Sequence, residues 1–275
     1  MKQLGSLHKI SVSVFFFFIS LTSSGIDRYS MSAGAGEAGA GYVCIIKEGF
    51  WASFRNQALL AKNSSFSLGI NYDNRYNISQ LGTRTAGLII PSGRTSLGLI
   101  YSHFGYSDFR RNMTGVACGM KLSEKLSAGA QVDYFAEMAP GEYEDIHIVT
   151  GECGVVYTAS ERTTIGIHIF NPVPNSFRKS SMPVRLRAGA GTMLNNLLFA
   201  GAEAEMSSGS SMILRMGFEY EAVKKFWLRS GFCTEYNSFS FGIGYLAKVV
   251  KIDLAFATHD KLGITSSASL IFKIH

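Results

Sequence analysis

From residue 64 onward the chain alternates apolar with small or polar residues, in segments that recur at intervals of about 15 and end in turn-like residues. Fourteen such segments can be delimited, over 64–75, 79–91, 94–105, 109–122, 125–137, 146–158, 162–171, 183–193, 196–206, 210–222, 225–235, 237–247, 248–259 and 262–274. A strand turns successive side chains to opposite faces, so each segment has two faces to explain. One face carries Leu97, Leu99 and Tyr101; Leu126, Ala128, Ala130, Val132 and Tyr134; Ile165, Ile167 and Ile169; Leu214, Met216, Phe218 and Tyr220. The other carries Ser96, Gly98 and Ser102; Ser127, Gly129, Gln131 and Asp133; Thr164, Gly166 and His168; Arg215, Gly217 and Glu219, and is polar or glycine almost throughout. In "FSFGIGYLAKVVKIDLAFA" (239–257) the apolar places are continuous and nearly charge-free. A soluble sheet has nowhere to put so much of such a face.

The connections suggest where it goes. Every second link is short, as in "PSGR" (91–94), "LSEKLS" (122–127), "ASER" (159–162) and "VKK" (223–225), while "PGEYED" and "NPVPNSFRKSSMP" lie among the links between. Short turns on one rim and longer loops on the other are the habit of bacterial outer-membrane barrels. In lipid every backbone polar group must be satisfied internally, which for strands requires a closed barrel with an apolar outside. Arg185, Arg187, Glu203, Glu205, Arg215, Glu219, Arg229, Lys251 and Asp253 all fall on the small-residue parity, so the expected inner face is charged and wet. One of these charges on the lipid face would cost about 2–4 kcal/mol at mid-bilayer. Tyr72, Tyr101, Tyr134, Tyr157, Phe170, Tyr220 and Tyr245 fall near segment ends, where an interfacial aromatic girdle belongs. An even strand number places both ends of the barrel on the short-turn side.

Composition agrees: 47% of residues are apolar and 17% charged, against about a quarter charged in soluble domains. The net charge of +6 is not gathered into basic runs, which argues against a nucleic-acid partner. "MKQLGSLHK" followed by "ISVSVFFFFISL" and "TSSG" reads as a secretory signal peptide over 1–25, with cleavage near Ser24 or Gly25. Cys44, Cys118, Cys153 and Cys233 are too scattered for a disulfide framework or a metal cluster. After residue 25 no apolar run reaches the roughly 20 residues of a membrane helix. The expected domains are the signal peptide, a Gly/Ala-rich N-terminal segment over 26–62, and a transmembrane barrel over 63–275.

Residues 26–62 lack the alternation. "SAGAGEAGAGY" leads into "EGFWASFRNQALLA", which reads as a short amphipathic turn or helix with Phe50, Trp51, Phe54, Leu59 and Leu60 on its apolar side. The Gly/Ala-rich start, the aromatic pair and the Asn56, Ala58, Ala61 element before a first strand resemble the PorV/PorQ group, relatives of the FadL-type fatty-acid channels. The resemblance continues through "NYDNRY" (71–76), "YSHFGYSDF" (101–109), "KLSAGAQVDYF" (125–135), "IGIHIFNPV" (165–173) and "FSFGIGY" (239–245), and so covers nearly the whole mature chain. It implies an all-β, antiparallel up-and-down barrel of about 14 strands whose N-terminal segment folds into the lumen as a plug.

Catalytic signatures do not emerge. There is no GxSxG, HExxH or Walker sequence, and "GAGEAGAG" (34–41) does not join a strand to a regular helix as a nucleotide loop would. Ser102 and His103 are adjacent and so face opposite ways, which disfavours a surface hydrolase pair. No catalytic residue, metal site or cofactor is expected. His168 reads as a polar lumen residue. Arg185, Arg187, Arg215 and Arg229 with Glu203, Glu205 and Glu219 read as cross-strand ion pairs that fill the lumen, or as a charged constriction. By the resemblance, the leading expectation is a non-enzymatic channel or binding protein for small hydrophobic molecules in the outer membrane. Its ligand would contact Phe50, Trp51, Phe54, Asn56 and Leu59 in an apolar pocket against the inner wall. The competing expectation is an accessory protein of type IX secretion acting through secretion-system partners, docked at the loops around 137–146 and 171–183. A general porin would need an open lumen.

Overall fold

The computed structural model describes residues 34–138, 145–173, 182–208 and 210–274. The signal-peptide reading over 1–25, the start of the segment over 26–62 and most of the two proposed docking loops lie outside them. Fourteen strands close into one antiparallel barrel in which each strand pairs with its sequence neighbours and β1 pairs with β14. They are β1 Phe66–Asn74, β2 Gly82–Ser92, β3 Thr95–Gly105, β4 Arg110–Lys121, β5 Leu126–Met138, β6 Ile146–Thr158 and β7 Thr163–Phe170, then β8 Arg185–Met193, β9 Leu198–Ser207, β10 Ile213–Val223, β11 Phe226–Cys233, β12 Ser238–Ala247, β13 Val250–His259 and β14 Gly263–Ile274. Every expected segment lies within three residues of a strand. Closure leaves no edge, so each backbone group of the wall finds a neighbour without water.

Along one rim the strands are joined by links of two to four residues, such as 93–94, 159–162 and 248–249. At two of the tightest, Gly93 (φ 62°) and Lys248 (φ 52°) adopt the left-handed backbone that two-residue hairpins require. The opposite rim carries the longer links, including 75–81 and 171–184. Alternation holds around the outside: Leu99, Val132, Ile167, Phe218, Phe241, Leu254 and Phe256 are all exposed. Tyr72, Tyr101 and Tyr134 stand on the outer face near the long-loop rim, and Tyr157, Tyr220 and Tyr245 near the short-turn rim, forming two girdles. Phe170 does not join them. It shares the parity of His168, points inward and is buried.

The inside departs from expectation more broadly, being packed instead of narrow and wet. Ile89, Ile100, Met113, Phe135, Phe170 and Ile271 point inward and form a buried cluster with Phe50, Trp51, Phe54 and Leu60 from the chain that precedes the barrel. That chain runs within the lumen. A one-turn helix, α1 (Ala35–Gly39), lies against β11 to β14 and β1, and 3-10 turns at Ala52–Phe54 and Gln57–Lys62 lead along β2 to β6 before the chain enters β1. Five residues cannot sustain a helix in isolation, so the wall holds α1: Ala35 N donates to Asn71 Oδ1 (3.1 Å) and Ser269 Oγ (2.9 Å).

Candidate functional site: the occupied lumen

The inner wall is shaped to the luminal segment by what it lacks. Strands β1 to β12 each carry an inward-facing glycine, and many meet across neighbouring strands: Gly119, Gly129 and Gly154 are consecutive partners, as are Gly191, Gly201, Gly217 and Gly231. A Cβ at Gly129 would overlap the backbone of Gln57, and one at Gly231 the backbone of Gly41. At Gly154 it would overlap the Asn56 carboxamide, and at Gly69 the Phe50 ring. Glycine is required here for close approach of one backbone to another. The alternating pattern displays these glycines; that they form a belt depends on register between strands far apart in sequence.

Polar anchors punctuate the belt. Glu203 Oε1 accepts from Cys44 N (2.6 Å) and Ile45 N (2.7 Å), and Gly41 N donates to Ser240 Oγ (2.9 Å). Asn56 caps the second 3-10 turn by accepting from Ala58 N (3.2 Å), while its amide donates to Ile45 O (2.9 Å) and, more weakly, to Val155 O (3.4 Å). The hydrogen bonds described between segment and wall all use a side chain; the backbone-to-backbone bonds of the segment stay within it. Burial adds more than these bonds do. A net hydrogen bond is worth about 1 kcal/mol, whereas each large apolar side chain withdrawn from water contributes about 1.5–3 kcal/mol. Phe50, Trp51, Phe54, Leu59 and Leu60 are all fully or nearly fully buried.

The charged residues read from sequence converge in two networks. On β8 to β10, Glu205 Oε2 accepts from Arg187 Nε (2.7 Å) and from Arg215 (2.9 Å). On β10 to β13, Arg229 bridges Glu219 (2.6 Å) and Asp253 (2.7 Å), Lys251 lies 3.7 Å from Asp253, and Lys47 of the luminal segment also pairs with Glu219. Glu203 stands apart as an anchor, and Arg185 packs its guanidinium on the Phe170 ring at 4.5 Å. A third group went unseen in the sequence. Gln131 donates from Nε2 to Asp133 (2.7 Å) and Glu152 (2.7 Å), and Glu152 lies 2.9 Å from His168 Nε2. Its members sit on β5, β6 and β7, and only the inner parity of each signals it. Arg55 joins the same region from the luminal segment, where burial, then the nearby Arg187, lowers its pKa. Burial likewise pushes the Cys44 thiol up to about 11.

Among the described residues, Phe50, Trp51 and Phe54 pack against the wall and leave no apolar pocket of the kind expected between them. Phe50 meets Trp51 edge-on at 4.8 Å and Phe54 at 5.7 Å, and opposing glycines let the wall close onto the rings. The described cavity is small, about 20 Å³, and mixed in character, lined by Arg55, Phe135, Glu152, His168, Phe170, Arg185 and Arg187. That is room for about one water. Ser102 is buried on the inner face and His103 stands on the outer one.

No protein-family profile and no curated protein matches the chain. Solved structures do. The toluene transporter TbuX of Ralstonia pickettii is similar at 14% identity with a TM-score of 0.67, over 88% of this chain and 98% of that one. A Pseudomonas aeruginosa FadL homologue is similar at 13% identity and TM-score 0.68, over 90% and 99%. The monoaromatic hydrocarbon channel CymD gives 14% identity and 0.70, over 88% and 98%. At such identities the likeness establishes the fold: a transmembrane barrel of the kind found in FadL-type outer-membrane transporters, the FadL-like side of the resemblance seen in the sequence.

Proposed function

We propose that this chain is a non-enzymatic outer-membrane protein that admits small hydrophobic molecules, held closed in this structure by residues 34–62. One observation carries the reading. The lumen is filled by a segment whose described bonds to the wall use side chains, so it can move without breaking a single rung of the strand ladder. The likeness to TbuX and CymD, a toluene transporter and a monoaromatic hydrocarbon channel by their descriptions, supports a hydrophobic cargo. The apolar cluster around Phe50, Trp51 and Phe54 supports it too, since those surfaces would line the path once parted. On this reading residues 1–25 direct export and 26–62 form a movable plug. The finer PorV/PorQ assignment, with secretion partners, rests on the sequence resemblance alone.

Single-channel conductance of the intact protein and of a form lacking residues 26–60 tests the proposal. Conductance only after deletion supports a plugged channel. Large conductance in the intact protein points to a general porin, and none in either form points to a partner role. Gel mobility before and after heating checks that the deleted form still closes its barrel.

A further inference from the structure

Charged side chains on the outer wall are confined to one place. Among the described strand residues the outward-facing Arg, Lys or His side chains are Arg84 on β2, His103 on β3, Arg110 on β4 and His147 on β6, and no Asp or Glu of a strand faces outward. All four stand at the long-loop ends of their strands. Register sets three of them in a row: Arg84 lies opposite His103, His103 opposite Asn112, and Asn112 and His147 both opposite Ala136, while Arg110 stands one outward position nearer the rim than Asn112, opposite Gly105 and Met138. Five adjacent strands spaced about 4.8 Å apart make this row roughly 19 Å wide. At the same rim the far wall presents Leu186, Met206, Phe232 and Phe239.

The row sits directly above the aromatic girdle and is joined to it. The Arg84 guanidinium lies 5.9 Å from the centre of the Tyr72 ring, Tyr101 Oη donates to Asn112 Oδ1 (3.0 Å), and Tyr134 Oη is 2.8 Å from His147 Nδ1. Tyrosine marks the depth where acyl chains give way to headgroups, so these cations stand at headgroup height. A charge on the lipid face is costly in mid-bilayer but nearly free at the interface, where anionic groups reward it. The carboxylates nearest in sequence to Arg110 and His147, Asp108 and Asp145, lie in the loops beyond the strand ends, and Asp73, nearest to Arg84, has the inward parity of β1, where it accepts from Asn71. The inward Arg111 is already paired with Glu137 at 2.8 Å.

We infer that the outer face of β2 to β6 is a binding site for a phosphate-bearing lipid headgroup of the leaflet at the long-loop rim, with Arg84 and Arg110 as its charged contacts and the tyrosine row seating its acyl chains. The inference rests on the membrane-barrel reading and not on transport. Native mass spectrometry of the detergent-solubilised full chain tests it, with lipid A and its dephosphorylated form as probes. The intact protein retains lipid A and not the dephosphorylated form. R84Q/R110Q loses roughly ten- to thirtyfold in retention, R84K/R110K keeps it, and K224Q/K225Q, which removes as much charge from the opposite rim, leaves it unchanged. Equal retention of both lipids, undiminished retention by R84Q/R110Q, or an equal loss in K224Q/K225Q overturns the site. Conductance is not a readout, so a failed transport assay and a failed lipid assay refute different statements.

Discussion

At the scale of single residues the molecule depends on side chains that are missing or uncharged. Gly129 and Gly231 contribute by leaving room for a backbone, and a methyl or isopropyl group there has no flexible neighbour to displace. Overpacking of this kind costs about 1–3 kcal/mol, and the luminal segment is the part able to yield. Gly129→Val is therefore expected to loosen it, measured as faster trypsin cleavage after Lys47 and Arg55 while the barrel stays intact on gels. Unchanged cleavage would mean that the segment is not seated on the belt. Glu37 on α1 offers a second test. Burial raises its pKa above 4.5, with Lys251 partly opposing. An acid whose folded-state pKa is raised contributes most below the unfolded value and loses that contribution as pH climbs through the folded one. Glu37→Gln should then be more stable than the native chain at pH 8, with the gap closing by pH 4, as read by denaturant midpoints; a gap that widens toward acid would contradict this.

At the scale of elements each strand is a divider between two solvents. On β13, Ile252, Leu254 and Phe256 face lipid while Lys251 and Asp253 face the lumen, where Asp253 pairs with Arg229. Exchanging one for the other in kind has a calculable cost. Leu254→Arg is expected to destabilise the barrel by about 2–4 kcal/mol, measured by denaturant titration in lipid vesicles, and a change near zero would place this face away from the membrane. The inner charges obey a different rule. Glu205 holds both Arg187 and Arg215 in an enclosed space, so Glu205→Ala removes the carboxylate that Arg187 pairs with and leaves Arg215, among the described residues, only the longer contact to Glu235 at 4.0 Å, and is expected to cost about 3–5 kcal/mol.

For the whole molecule the consequence is a wall and a filling of unequal attachment. The wall is a continuous ladder of backbone hydrogen bonds, whereas the described hydrogen bonds from the filling to it run through side chains such as Glu203, Ser240, Asn71 and Asn56. Local opening draws on the least securely bonded regions. Hydrogen exchange is therefore expected to reach the amides of residues 34–62 before those of the strands; protection as strong as that of β4 or β5 would argue for a permanent core in place of a movable plug.

The sequence by itself determined the barrel. Alternation is a property of neighbouring residues, so fourteen strands, their boundaries, their outward faces and the two rims could be read without knowing which strand lies beside which. The charges on β8 to β13 were legible for the same reason, as was the inward parity of His168. What only the tertiary structure decided was the content of the lumen. Inward Ile89, Ile100, Met113 and Ile271 look like exceptions along their own strands, and Gly119, Gly129 and Gly154 look like ordinary small residues, until closure brings them to opposite sides of the same narrow space. Packing there is set by distances across the barrel, which no local period encodes. That is why an apolar pocket could be expected at Phe50, Trp51 and Phe54 where the described residues, with glycine on the facing wall, pack closely instead.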